Sequence, residues 1–317
     1  VEIDPRDPSK KPIKRTAMGR FKHESAAFAE LADGRVAVYM GDDQRFDYCY
    51  KYVSEKPWRE HVANGESPLD FGTLYVARFD EFGGEWLELS TANPDLVGWT
   101  QEEILVFSRV SADVVGATPM DRPEWTTIGK DGEVYWTLTN NTERLPVSQG
   151  GPGPDFANPI AEPGDPADDF SGGGNQDGHI IRTVDTSDTT FDWEIFILAK
   201  DTRGTPGVFT DPDAAWADPF GRLFIGTDGG QPDGLQDQLV VFDADTKEYK
   251  RLLMGVQSDE ITGITTTPNY RTMFTNTQHP GNGDPTRTNF PAPFDGVTIP
   301  RDCTIVVTRK NKGIVGS

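Results

Sequence analysis

Residues 123–139 read PEWTTIGKDGEVYWTLT. A β-rich run at 123–128 is followed by the dipeptide Asp131-Gly132 and by a second β-rich run at 133–139. Asp-Gly between two such runs is typical of a tight turn, because glycine adopts backbone angles that other residues avoid. The stretch therefore predicts two antiparallel strands joined by a short turn.

The same unit returns twice further along the chain. Residues 212–217 precede Phe220-Gly221 and a β-rich run at 222–227, and residues 260–267 precede the turn that begins at Pro268. Repeated strand–turn–strand units with a loose period predict the blades of an all-β propeller, and a β-sandwich is the alternative. The first strand of each unit carries Glu or Asp at its start, where the side chain would face the central channel.

Other strands are expected at 35–40, 73–79 and 238–242, and the best helix candidate is 101–106. The 33 glycines and 24 prolines among 317 residues divide the sequence into short strands. This length is ordinary for a single all-β domain. Residues 146–178 are dense in Gly, Pro and Asp and predict a long loop within the domain, and 281–300 are similarly irregular.

The net charge of −21 excludes some partners. Nucleic acid and anionic membranes would be repelled by such a field, so neither is expected as a partner. Surplus carboxylates are also the oxygen ligands that Ca²⁺ prefers. Cys49 and Cys303 sit in no metal-binding spacing; isolated buried thiols are expected, and a disulfide is the alternative.

Two motifs combine cations with carboxylates. His23-Glu24 can ligate a metal or form a surface ion cluster. In Arg122-Pro123-Glu124, alternation along an extended chain would place Arg122 and Glu124 on one face. An Arg there suits a phosphate because its planar fork donates two hydrogen bonds, and Glu124 could hold an activating cation. A plain Arg–Glu ion pair is the alternative.

Two further motifs are purely acidic or lie in turns. Asp213, in Asp211-Pro212-Asp213, and Asp228 flank a strand–turn–strand unit, so both carboxylates should reach the same edge of the blade. Paired carboxylates repel each other unless a cation neutralises them, although turn-forming aspartates are the alternative. Glu260 opens the next first strand and is another candidate ligand, whereas His279 is interpreted as a turn residue.

Taken together, several segments resemble the PhoX-type alkaline phosphatases, and the resemblance runs through nearly the whole chain. The segments that carry it are 15–24, 38–43, 116–125, 138–141, 178–182, 221–229 and 271–281. The resemblance implies a β-propeller that is six-bladed in the complete protein and incomplete here. Residues 1–317 would then be the C-terminal portion of one catalytic domain, missing the N-terminal part of the same protein.

The resemblance also implies a function. It implies metal-dependent hydrolysis of small-molecule phosphate monoesters, releasing inorganic phosphate, with Ca²⁺ and Fe³⁺ at the channel mouth. By motif, Arg122 and Glu124 are the catalytic residues, and Arg122 binds the phosphate. The implied metal ligands are Glu24, Glu124, Asp213, Asp228 and Glu260. A monomer exported to the periplasm or the outside, usually by the twin-arginine route, is expected.

The chain departs from the family pattern in two places. The family's N-terminal half supplies a cysteine ligand to iron, and no such segment occurs here, so the iron site is expected to be incomplete. The family has Ser-Pro-Asp-Gly or a near variant where this chain has Asp211-Pro212-Asp213-Ala214.

No signal peptide is recognised, and the chain is interpreted as truncated. Poor solubility is expected, because an open propeller exposes blade edges.

Two other functions fit the same residues. One is a calcium-stabilised propeller that binds phosphate compounds without catalysis. The other is a propeller lactonase or esterase, which also places carboxylate-bound Ca²⁺ in the channel. Arg122 argues against the second, because a neutral lactone needs no cation to bind it.

Overall fold

The computed structural model describes residues 1–159 and 174–317. Sixteen strands lie within these residues: β1 Ala27–Glu30, β2 Val36–Gly41, β3 Cys49–Ser54, β4 Gly72–Asp80, β5 Gly83–Glu88, β6 Pro123–Ile128, β7 Val134–Leu138, β8 His179–Asp185, β9 Thr190–Leu198, β10 Pro212–Ala217, β11 Arg222–Thr227, β12 Gln238–Asp243, β13 Glu248–Met254, β14 Glu260–Thr266, β15 Thr272–Gln278 and β16 Cys303–Thr308. The α-helices are α1 Trp58–Ala63, α2 Gln101–Val106 and α3 Ser108–Val115. Short 3-10 helices lie at Thr16–Met18, Pro94–Leu96, Val147–Gln149, Ala199–Thr202, Pro232–Gly234 and Pro280–Gly283.

Each group of consecutive antiparallel strands forms one blade: β1–β5 is blade A, β6–β9 blade B, β10–β13 blade C and β14–β16 blade D. Blades A and B join at their outer edges, where β5 pairs with β9. The first strands lie side by side, since β6 contacts β1 and β10, and β10 contacts β14. First strands gathered around one axis are the arrangement of a propeller. The prediction of an all-β, propeller-like fold is confirmed.

The expected hairpin at 123–139 is β6 paired with β7, and its turn contains Gly132 at φ 90°. The helix expected at 101–106 is α2. It starts with a capping box: Thr100 Oγ1 accepts from Glu103 N at 3.2 Å, and Glu103 Oε2 accepts from Thr100 N at 2.9 Å. The sequence analysis did not predict α1 or α3. Helix α3 buries Ser108 and Ser111 on its inner face, so its apolar period is interrupted.

The hydrophobic core lies between neighbouring blades. Trp86 of blade A and Trp136 of blade B share one cluster, and Ile180 of blade B packs in a second cluster with Phe242 of blade C. A third cluster joins blades C and D. Because apolar side chains fill the spaces between the sheets, the strand ends remain available for polar residues.

Three further expectations concern loops, thiols and membranes. Of the loop expected at 146–178, residues 160–173 lie outside the described residues. The described part contains the short 3-10 helix at 147–149 and an isolated bridge between Asn175 and Asn141. Cys49 and Cys303 are both free thiols, as expected, but only Cys49 is buried and Cys303 is partly exposed. Among the described residues, no helix has the length and apolar character needed to cross a bilayer.

Candidate active site

The site lies at the end of the blades where each first strand begins. Because neighbouring strands are antiparallel, that end also holds the last residue of each second strand. Pro123 pairs with Leu138, Pro212 with Thr227, and Glu260 with Gln278. Blade A follows the same pattern through a bridge between His23 and Asp42.

This register gives each blade two equivalent positions. The acids at or beside the start of the first strands are Glu24, Glu124, Asp213 and Glu260. The residues just after the second strands are Asp43, Asn140, Asp228 and His279. Eight polar side chains separated by up to two hundred and fifty-five residues (Glu24 to His279) therefore gather at one end of the fold.

The first group of potential metal ligands, here called the AB trio, is Glu24, Asp43 and Glu124. Each residue offers an oxygen, and these three atoms lie within 4.8 Å of one another. Arg122 bridges two members: its Nε is 2.8 Å from Asp43 Oδ1 and its Nη2 is 2.6 Å from Glu124 Oε1. The trio therefore combines three hard oxygen ligands with one guanidinium.

Arg122 does not have the extended conformation that strand alternation assumes. Its φ is 57°, in the left-handed region that favours glycine, and Pro123 follows it. The argument that alternation places Arg122 and Glu124 on one face was wrong. The two side chains meet instead because the turned backbone at Arg122 directs the guanidinium back toward Glu124. A non-glycine residue in this region is strained by about 1–3 kcal/mol, and such strain is concentrated at functional sites.

The second group, here called the CD trio, is Asp228, Glu260 and His279, whose ligand atoms also lie within 4.8 Å of one another. His279 Nε2 is 3.3 Å from Glu260 Oε2, and Gln278 Nε2 donates to the same oxygen at 3.0 Å. This trio offers two carboxylates and one imidazole. It therefore presents a softer ligand set than the AB trio.

Glu124 and Asp213 connect the two trios. Glu124 is 2% exposed and Asp213 is 4% exposed. Burial raises the pKa of both carboxyls, and the Glu124 carboxyl raises the pKa of Asp213 further. Arg122 Nη2 lies close to Glu124 Oε1 and attracts it electrostatically, but its N–H groups are not aligned with that oxygen. Glu124 Oε1 therefore accepts no hydrogen bond. Two adjacent buried carboxyls of this kind need a shared proton or a cation.

Burial also raises the pKa values of Glu24, Asp228 and Glu260. Asp211, at the turn that departs from the family pattern, has its pKa raised to about 7 by burial. Its Oδ1 accepts a hydrogen bond from Asn140 Nδ2 at 2.7 Å. The carboxyl groups at this end of the blades therefore resist ionisation unless positive charge is supplied.

The sequence analysis named five acids and one arginine, and all six lie at this end of the blades. It missed Asp43 and His279 as members of the trios, and it missed Asn140. A signal was present: Asp43 follows the strand-like run 35–40 much as Asp228 follows 222–227. Aligning the sequences of the repeated hairpins with each other would have identified Asp43 as the equivalent of Asp228. Neither Cys49 nor Cys303 belongs to either trio.

Comparisons with known proteins agree on one family. The model of the alkaline phosphatase PhoX family matches residues 1–281. Among solved structures, Pseudomonas fluorescens PhoX in complex with vanadate, a transition state analogue, is 38% identical with a TM-score of 0.81. The alignment covers 99% of this chain and 58% of that protein, so the chain spans 58% of the length of this relative.

Two other matched structures are much more distant. A GH43 β-xylosidase/α-arabinofuranosidase from a compost microbial metagenome is 10% identical, with a TM-score of 0.30 and 92% of each chain covered. TolB from Acinetobacter baumannii is 12% identical, with a TM-score of 0.27, 80% of this chain covered and 50% of that one. Neither supports an inference. A comparison with curated protein sequences found no match.

Proposed function

This chain belongs to the PhoX family of alkaline phosphatases, and from this premise we propose that it hydrolyses phosphate monoesters and releases inorganic phosphate. The observation that carries the proposal is the contact of Arg122 with both Asp43 and Glu124 beside two groups of potential metal ligands. In the reaction, water adds to phosphorus and the ester P–O bond breaks. The alcohol oxygen leaves with one proton of that water.

The residues fit resident cations. The buried Glu124 Oε1 accepts no hydrogen bond, although most buried polar atoms have partners. A cation held by Glu24, Asp43 and Glu124 would compensate that oxygen, and an all-oxygen ligand set suits Ca²⁺. We propose the CD trio, with Asp213 beside it, as the place of a second cation. Its two carboxylates suit iron or calcium, and its imidazole suits iron.

When bound, such cations neutralise the charge of the phosphoryl oxygens. The chain's own contribution is the guanidinium of Arg122. Two of its five N–H donors face Asp43 and Glu124, and the side chain remains 22% exposed. The remaining donors can bind two phosphoryl oxygens and stabilise the charge that develops on them. Glu124 holds the guanidinium in place while serving as a metal ligand.

The organisation of the whole protein is part of the same proposal. Residues 1–317 would be the C-terminal portion of a single propeller catalytic domain, completed to six blades by a part that this chain lacks. The relative's greater length supports this, since 58% of it is covered. A cysteine ligand to iron would come from the lacking part. We also propose a monomer that is exported to the periplasm or the outside.

The experiment measures hydrolysis of p-nitrophenyl phosphate by the full-length protein, with and without a metal chelator. We expect the chelator to abolish turnover and added Ca²⁺ with iron to restore it. Arg122→Gln should lower kcat by about 100-fold, the usual effect of removing one transition-state donor. The matched control is Arg45→Gln, which removes a surface arginine paired with Glu143 at 2.7 Å.

Turnover that survives both the chelator and Arg122→Gln would contradict the proposal. Tight binding of phosphate without turnover would support the binding-protein alternative. A lactone or p-nitrophenyl acetate assay, run beside the phosphate assay, identifies a lactonase or esterase.

A further inference from the structure

A cavity of about 700 Å³ opens beside the AB trio. Its wall includes Glu24, whose carboxylate is one of the three ligand groups of that trio. The volume is typical of sites for small molecules. A phosphate monoester bound at Arg122 must place its alcohol portion somewhere nearby. A cavity that begins at Glu24 is positioned to receive it.

The charges in the wall of this cavity are unusual for the chain. Lys14 and Arg20 line it, and neither forms an ion pair with any residue in the described ranges. By contrast Arg15, in the same wall, is paired with Glu2 at 2.8 Å and with Asp70 at 2.6 Å. The whole chain carries a net charge of −21 and repels anions. Lys14 and Arg20 oppose that field locally, although the carboxylate of Glu24 lies in the same wall.

The rest of the wall is apolar and contains a stacked pair of rings. The rings of Phe21 and His23 are 3.7 Å apart and nearly parallel, and Phe21 stacks in turn on Tyr50 at 4.1 Å. The position of the His23 ring is fixed in part by its Nε2, which lies 3.2 Å from the oxygen of Gly19. Met18 adds an apolar side chain to the wall. Phe21 is thus covered on both faces, and a flat ring can pack against its edge and against the outer face of His23.

We propose that this cavity binds the leaving group, and that the preferred substrates are phosphate monoesters whose alcohol portion is ring-bearing and carries a second anionic group such as a carboxylate. The phosphate lies at Arg122 and the AB trio, the ring packs along Phe21 and His23, and the second anion meets Lys14 and Arg20. This inference rests on the proposed phosphatase function and specifies its substrate class.

The test compares two substrates of the full-length protein that differ in one charged group: phenyl phosphate and para-carboxyphenyl phosphate. The double variant Lys14→Gln/Arg20→Gln removes the cations. Both side chains are exposed, so folding should be unaffected, and thermal melting checks this. The matched control is Arg6→Gln/Lys11→Gln, which removes the same charge from two exposed residues that do not line the cavity.

We expect the double variant to lower kcat/KM for para-carboxyphenyl phosphate about fivefold through KM, a size suited to two exposed charge contacts. Phenyl phosphate should change by less than about twofold, and the control variant should affect the two substrates equally. Competitive inhibition by the product para-hydroxybenzoate should weaken in parallel. Should the double variant melt early, Arg20→Gln alone is compared in the same way.

Two outcomes overturn the inference and are distinguishable from each other. A protein that hydrolyses phenyl phosphate but loses no preference for the carboxylated substrate has no leaving-group site here, and its phosphatase activity stands. A protein that hydrolyses neither substrate contradicts the proposed function as well. An equal loss on both substrates shows a general field effect and also overturns the leaving-group site.

Discussion

Asp121 and Glu124 are three residues apart, and both are buried, at 0% and 2% exposure. Asp121 is surrounded by donors: its Oδ1 accepts from Asn141 Nδ2 at 2.9 Å and from Arg144 Nε at 2.6 Å, and its Oδ2 accepts from Asn175 Nδ2 at 3.0 Å. Glu124 faces a second carboxyl, and its Oε1 accepts no aligned hydrogen bond, although Arg122 Nη2 lies 2.6 Å away. The protein gives one buried carboxylate three hydrogen-bond donors, and it places the other between a guanidinium and a second carboxyl.

The difference separates a structural group from a functional one. A buried carboxylate with a full set of donors holds segments of chain together, and removing it leaves its partners unpaired. A buried carboxylate beside another carboxylate destabilises the metal-free fold, and it becomes favourable only when a ligand arrives. Changes at Asp121 and Glu124 should therefore have opposite effects on stability, which can be measured.

The largest expected effect is at Asp121. Asp121→Ala leaves the buried guanidinium of Arg144, whose side chain is 3% exposed, without its main partner. Breaking a buried ion pair on one side costs about 3–5 kcal/mol of unfolding free energy. Urea denaturation of the full-length protein measures it. Added Ca²⁺ should not restore the loss, and a loss under about 1 kcal/mol would show that the network is not structural.

The next effect is stabilisation by cations. Ca²⁺ at about 100 times its Kd should raise the unfolding free energy by about 2.7 kcal/mol, because it binds only the folded protein. Thermal melts at increasing Ca²⁺ measure the shift. In Glu24→Gln, which removes one carboxylate of the AB trio, the shift should be smaller at each concentration. Equal shifts in the two proteins would place the cation elsewhere.

Glu124→Gln should stabilise the metal-free protein by about 1–2 kcal/mol, the opposite sign to Asp121→Ala. The change removes a carboxyl whose pKa is raised by burial and keeps the shape of the side chain. The same variant should lose most of the cation-dependent shift and most of its turnover. Urea denaturation in the presence of chelator shows whether the unfolding free energy rises or falls. A variant less stable than the unsubstituted protein would show that the two buried carboxylates do not differ in this way.

The smallest effect is a pH dependence from His179, which lies in the same network as Asp121. Its Nδ1 is 2.9 Å from Asn175 Nδ2, its Nε2 is 2.9 Å from Ala157 O, and burial lowers its pKa to about 4 from 6.5. The unfolded chain takes up a proton below pH 6.5, whereas the folded protein does so only near about 4. The contribution of His179 to the unfolding free energy is therefore fully present above pH 6.5, and it is lost as the pH falls from 6.5 toward about 4.

At a pH of about 5.5 the loss from His179 should be about 1 kcal/mol. His179→Gln should flatten this part of the stability profile, at a constant cost at all pH values. Urea denaturation at several pH values compares the two proteins. An unchanged profile in the variant would show that the acid sensitivity comes from other groups.

Much of the fold follows from local patterns. Residues 123–139 carry their own turn chemistry at Asp131-Gly132, so the β6–β7 hairpin forms where the sequence predicts it. Helix α2 is signalled by its capping box, which needs only Thr100 and Glu103. Helix α3 could not be predicted in this way. Its buried serines are satisfied by carbonyl groups, as when Ser111 Oγ donates to Ile104 O at 3.0 Å, a contact that no periodicity records.

The candidate site shows the same division. Glu124, Asp213 and Glu260 could be named from the sequence, because each stands at the start of a recognisable first strand. Glu24 was named from the His23-Glu24 motif instead, since the strand β1 beside it was not predicted. His279 was interpreted as a turn residue because Pro280 and Gly281 follow it, and its partner Glu260 is nineteen residues away on the neighbouring strand. A strand register is needed to bring those two together.

The sequence by itself determined that this chain builds repeated hairpins with an acid at the start of each first strand, because turn formation and strand alternation depend on near neighbours. Only the tertiary structure decided which acids lie close enough to share a cation and which carboxylate is surrounded by donors. Glu24 and Glu124 are a hundred residues apart, and the donors that surround Asp121 come from positions 141, 144 and 175. Electrostatic compensation depends on distance in space, and the packing of blade against blade sets that distance.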